Sequence, residues 1–147
     1  MKKLVLATLV ALSFTAGAVE VAVTGINTVS SNRYGYGLTA TESVAGVNVG
    51  VGIARFTREN DDQTRYSLVA SKEVAKLGPV GFDGRVGLAF LSNNTVSSGS
   101  AVTVGVGASM PIAKNVSLVS AVDYQYGQRR VDSFNGAVIG AGVKVGF

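Results

Sequence analysis

Histidine, cysteine and tryptophan are absent from this chain, and proline occurs only twice in its 147 residues. Each absence removes a class of function. Without cysteine there are no disulfides, no thiolate metal sites and no lipid-modified N-terminal cysteine. Without histidine there is no imidazole, the side chain most often used to move a proton near neutral pH. Charged residues make up only 15% of the chain, whereas a soluble barrel wets its outside with many Lys and Glu. No basic patch suits nucleic acid. Beyond Phe14 no eighteen-residue apolar run marks a membrane helix.

What is present begins with an export pattern. Lys2 and Lys3 precede an apolar run from Leu4 to Phe14, and Ala16-Gly17-Ala18 supplies the small residues of a cleavage site. The run is too short to span a bilayer as a helix. The reading is a cleaved signal peptide over residues 1–18 and a single domain over residues 19–147. Taking Lys2 and Lys3 from the formal charge of +4 leaves +2, so the mature domain is near neutral.

The domain is rich in Val and Gly and alternates with period two, the strand signature. Eight segments follow it: Val19–Val29, Arg33–Val44, Val47–Thr57, Thr64–Val74, Val80–Leu91, Ala101–Ile112, Val116–Gln128 and Ser133–Phe147. After segments one, three, five and seven the connectors are polar: Ser30 to Asn32, Arg58 to Gln63, Ser92 to Ser100, and Arg129 to Asp132. After segments two, four and six they are tight: Ala45-Gly46, Ala75 to Pro79, and Ala113 to Asn115. Longer polar loops on one side and short turns on the other predict an all-β, eight-stranded antiparallel up-and-down transmembrane β-barrel, with both termini on the turn side.

Alternation alone does not say which parity faces in. A soluble barrel buries its apolar parity around an apolar ligand, and a membrane barrel turns it outward. Two observations favour the membrane. The polar parity is mostly Gly, Ser and Thr, as Gly105, Gly107 and Ser109 illustrate against Val104, Val106 and Ala108. All five tyrosines (Tyr34, Tyr36, Tyr66, Tyr124 and Tyr126) share the apolar parity and fall at the loop ends, where Phe90 joins them. Phe82 and Phe147 share that parity at the turn end. Such sorting reads as two aromatic girdles, rings in lipid and hydroxyls at the headgroups. On this reading Val104→Arg impairs membrane folding, and Thr103→Arg is better tolerated.

The chain resembles the small outer-membrane barrels of the OmpA membrane-domain and OmpX/Ail type over its whole mature length. The sharpest local element is Gly142-Val143-Lys144-Val145-Gly146-Phe147. It resembles the C-terminal signal read by the barrel-assembly machinery, although Gly140 stands where that signal usually has a polar residue. The resemblance implies the bacterial outer membrane as location, lipid and lipopolysaccharide as surroundings, the assembly machinery as a partner and a monomeric state. The loops are shorter than those of the adhesive members. The outer-membrane enzymes that the fold hosts rely on a histidine base, which this chain lacks.

The inward parity carries Glu20, Arg65, Glu73, Asp83, Arg85, Asp123 and Lys144. A charge near the middle of the lipid face costs about 2–4 kcal/mol, and unpaired charges in a narrow lumen are expensive. The expectation is an ion-pair network that fills the barrel, Arg65, Arg85 and Lys144 pairing with the four acids. The alternative is a narrow ion or small-solute channel. Arg55, Arg58, Arg129 and Arg130 lie at the loop rim, where guanidinium groups either contact lipopolysaccharide phosphates or only keep the loops soluble. Glu59, Asp61 and Asp62 lack an EF-hand spacing. The glycine pairs lie in strands with no helix to follow, so they are not phosphate loops. The reading is a non-enzymatic barrel with a structural or surface-interaction role, without cofactor or metal.

Overall fold

The computed structural model describes residues 19–29, 32–58, 61–93, 99–127 and 135–147. The expected signal peptide lies outside the described residues, as do Arg129 and Arg130. Eight strands follow in order: β1 (Val19–Thr28), β2 (Arg33–Val44), β3 (Val47–Arg58), β4 (Asp61–Leu77), β5 (Val80–Asn93), β6 (Gly99–Ala113), β7 (Val116–Gly127) and β8 (Gly136–Gly146). Each pairs antiparallel with its neighbour in sequence, and β1 pairs with β8, so the sheet closes on itself. Closure pairs the backbone groups that an open edge would leave bare, the condition for a sheet to cross lipid.

Period two becomes facing in this closed sheet. On β6, Val102, Val104 and Val106 are 57%, 57% and 61% exposed, and Ala101, Thr103 and Gly107 are buried. The same apolar exposure recurs around the ring at Val23, Leu38, Leu68, Val86, Val122 and Ile139. The apolar parity is therefore the outside of the barrel. A continuous apolar face of this extent is incompatible with water and matches the lipid-facing band of a transmembrane barrel.

Left-handed backbone makes two of the tight turns. Ala45 and Gly46 have φ of 52° and 79°, the two positive angles of a type I′ hairpin, whose twist matches that of the strands it joins. Gly78, at φ 58°, opens the β4–β5 turn ahead of Pro79.

β3, β4, β5 and β6 run further than the alternation implies. Asp61, Asp62 and Gln63 pair with Arg58, Thr57 and Phe56 rather than lying in a loop from Arg58 to Gln63. At its other end β4 continues to Leu77 through a bulge between Glu73 and Ala75. Polarity marks where the apolar band ends. The backbone ladder does not depend on polarity and carries on past it. A second bulge lies between Pro111 and Ala113 on β6, a position suited to a residue with no N–H to give the ladder.

Candidate functional site: the lumen and the loop rim

The two halves of the lumen differ. Near the loops, inward side chains are packed against one another. Phe56 is 1% exposed and Gln63 2%, and Arg33, Leu91 and Gln125 are also buried. The Arg65 guanidinium carbon lies 5.4 Å from the centroid of the Phe56 ring, a cation–π distance. Arg65 Nη1 also donates to Gln125 Oε1 at 3.4 Å. Ala89, Leu91 and Ala101 form a small buried cluster on β5 and β6 beside this group.

Toward the turns the lumen opens into a cavity of about 190 Å³, bordered by Glu20, Thr39, Ser67, Asp83 and Lys144 among others. Lys144 Nζ donates to Glu20 Oε2 at 2.8 Å, which ties β8 to β1 across the seam that closes the barrel. Arg85 Nε lies 3.3 Å from Asp123 Oδ1, an ion pair that bridges β5 and β7 over the glycines of β6. Those glycines have a clear purpose. A Cβ on Gly107 would stand 2.6 Å from Asp83 Oδ1, and one on Gly105 would collide with Asp123. A Cβ on Gly81 would stand 2.7 Å from Glu73 Oε2. The inward glycines make room for carboxylates carried by neighbouring strands.

Of the seven inward charges, the structure joins two pairs, Glu20 with Lys144 and Asp123 with Arg85. Glu73 and Asp83 face each other in register and make no ion pair among the described residues. Arg65 takes an amide and a ring in place of a carboxylate. Asp123, two residues from Gln125 on β7, is taken up by Arg85, and Glu73 is too distant. Arg65 and Glu73 are eight residues apart on β4, about 26 Å at 3.3 Å per residue. The packed half also contains Arg33, Phe56, Gln63 and Gln125, which a search for charges inside the apolar band passes over. Parity carried to the strand ends would have found them: Phe56 continues the series Gly50, Gly52 and Ala54.

At the rims, Tyr34, Tyr36, Tyr66, Phe90, Tyr124 and Tyr126 are exposed on the outward parity at the loop ends of β2, β4, β5 and β7. Phe82 and Phe147 are exposed at the turn end. Arg55 stands outward on β3 opposite Tyr36, and its Nη2 lies 2.5 Å from Asp62 Oδ2. An exposed pair of this kind is screened by water and adds little, so Arg55 is free to exchange partners. Arg58 ends β3, and its side chain is outside the described residues.

Comparison with known proteins agrees with this architecture. The family model described as YfaZ precursor matches residues 1–142. No curated protein sequence matches the chain. Among solved structures, the chain is similar to Neisserial surface protein A, with a TM-score of 0.68 and 16% identity over 88% of this chain and 95% of that one. It is similar to a major outer membrane protein from Thermus thermophilus, with a TM-score of 0.62 and 16% identity over 90% of this chain and all of that one. It is also similar to the outer membrane protein Ail of Yersinia pestis in a phospholipid bilayer nanodisc, with a TM-score of 0.60 and 14% identity over 90% of this chain and all of that one. The shared fold is the small outer-membrane β-barrel. The apolar outer face and this fold together place the chain in the bacterial outer membrane.

Proposed function

The chain belongs to the family described as YfaZ precursor, and from that premise we propose that it is a closed, non-enzymatic outer-membrane barrel that works at its outer surface. The observation that carries this reading is the packed loop-side half of the lumen, where Phe56 and Gln63 are almost fully buried. Eight strands enclose a space that side chains can fill, and here they fill it at one end. No histidine is available for acid–base work. The inward carboxylates sit against glycines or in ion pairs.

The chain reaches the membrane through a cleaved leader, residues 1–18, and its C-terminal strand, ending in Phe147, serves as the recognition element for the barrel-assembly machinery. In the bilayer it is a monomer surrounded by lipid and lipopolysaccharide. The loop-rim tyrosines fix its depth. Arg55 meets lipopolysaccharide phosphates, which a guanidinium grips with two hydrogen bonds, and Arg58, Arg129 and Arg130 are the further contacts that the sequence suggests. Ail, a barrel of the same shape, has been solved in complex with the heparin analogue sucrose octasulfate, which supports a surface of this fold as a place for polyanions.

Planar-bilayer recording of the purified, folded protein tests the closed reading. The expected result is a silent membrane. A steady conductance comparable to that of a general porin overturns it in favour of a narrow channel.

A further inference from the structure

We infer that the lumen is a one-sided vestibule: small solutes enter it from the turn end, cations in preference to anions, and stop beneath the loop rim. This rests on the closed-barrel reading and adds to it a site, a direction and a ligand charge.

The direction follows from burial. On the loop side the inward residues Phe56, Gln63, Leu91, Ala101 and Gln125 are buried. On the turn side the inward residues Thr39, Thr41, Ser67, Ser71 and Ser109 are partly exposed, and all five border the cavity. A polar cavity of about 190 Å³ has room for several waters with hydrogen-bond partners on its wall. Beneath the packed layer the lumen is therefore wet, and the layer ends it.

The charge preference follows from pairing. Lys144 is taken up by Glu20 and Arg85 by Asp123. Glu73 and Asp83, opposite each other on β4 and β5, have no ion-pair partner among the described residues. Ser109 lies beside them. Its hydroxyl and the Glu73 carboxylate both border the space over Gly81, and Asp83 lies over Gly107, two residues along β6. Lys76, opposite Gly81 at the mouth, is exposed and does not border the cavity. Among the cations that border the cavity, Arg65 lies nearest the closed end, held there by Gln125 and Phe56. A mobile cation thus meets two carboxylates without an ion-pair partner beside Ser109, while the guanidinium of Arg85 is held by Asp123 and that of Arg65 lies where the lumen stops. Glu73 and Asp83 leave the wall near Ser109 with a negative excess, and a low-dielectric wall concentrates the opposite charge.

The chain has no cysteine, so a single substitution introduces a single thiol. Ser109→Cys and Ala101→Cys are reconstituted in vesicles of one established orientation. Cationic trimethylammonium and anionic sulfonate methanethiosulfonates are then applied to one side at a time, each rate normalised to that with a free thiol. Ser109→Cys is expected to react from the turn side alone, about fivefold faster with the cationic reagent, and to lose that preference when Glu73→Gln and Asp83→Asn are added. Ala101→Cys is expected to stay unmodified from either side. Leu91→Cys replaces it if it fails to fold. No reaction of Ser109→Cys, or equal rates with both reagents, overturns the vestibule while the closed barrel stands. Reaction of Ser109→Cys from the loop side overturns both.

Discussion

Val104→Arg is expected to lose most of its stable insertion, at a cost of about 2–4 kcal/mol, the penalty for a guanidinium near the middle of a barrel's lipid face. Val104 is the midpoint of the exposed run Val102, Val104 and Val106 on β6, flanked by Val86 on β5 and Tyr124 on β7. No inward partner is within reach, because every second residue of β6 points the other way. The informative control is Ser109→Arg on the same strand. Its side chain enters the cavity beside Glu73 and Asp83, so insertion should be nearly unchanged. Thr103→Arg, the neighbour that alternation alone offers as control, is a poor choice. Thr103 is buried, and its hydroxyl fills the space over Gly87, so a longer side chain there disturbs packing as well as charge. Refolding from urea into lipid vesicles, read as the fraction with heat-shifted gel migration, distinguishes the cases. Equal losses for Val104→Arg and Ser109→Arg would mean that the facing is misassigned.

Phe56→Ala is expected to cost about 3–5 kcal/mol, the range for emptying a fully buried aromatic site. The ring is 1% exposed and lies under the Arg65 guanidinium. Its loss removes packing and also the face that steadies the Arg65 cation. Phe56→Leu keeps most of the volume and should cost less than about 1.5 kcal/mol. An aromatic ring at the lipid rim would give a smaller and more graded loss. Urea titration of the vesicle-embedded protein measures the difference. A cost below about 1 kcal/mol for Phe56→Ala, short of the core range, would remove Phe56 from the seal.

The outside of the barrel was legible in the sequence because lipid imposes one rule on all eight strands. Alternate residues must be apolar, and tyrosines belong where a ring meets lipid and a hydroxyl meets water. Val102 to Val106 and the five tyrosines obey that rule with no knowledge of which strands touch. The lumen was less legible because its contacts cross the barrel. That Asp123 meets Arg85, two strands away, and that Glu20 meets Lys144 at the seam depend on shear, which no local pattern encodes. The glycines were ambiguous for the same reason. Gly107 reads as a gap until the register places Asp83 over it. Asp61, Asp62 and Gln63 misled in the other direction. Their polarity suggests a loop, yet their backbone continues the ladder of β4, and Gln63 turns inward to pack near Phe56 at the loop end.

The central claim is that the apolar parity lies in lipid and the polar parity encloses the lumen. The chain has no tryptophan, so Val104→Trp and Ser109→Trp each give a single indole, excited apart from the tyrosines, on opposite faces of β6. In vesicles of brominated phospholipid, the Val104→Trp indole should be strongly quenched, most of all by bromines near the bilayer centre. The Ser109→Trp indole should be quenched little by lipid and more by a water-soluble quencher. Comparable lipid quenching in the two variants, or stronger quenching in Ser109→Trp, would contradict the account.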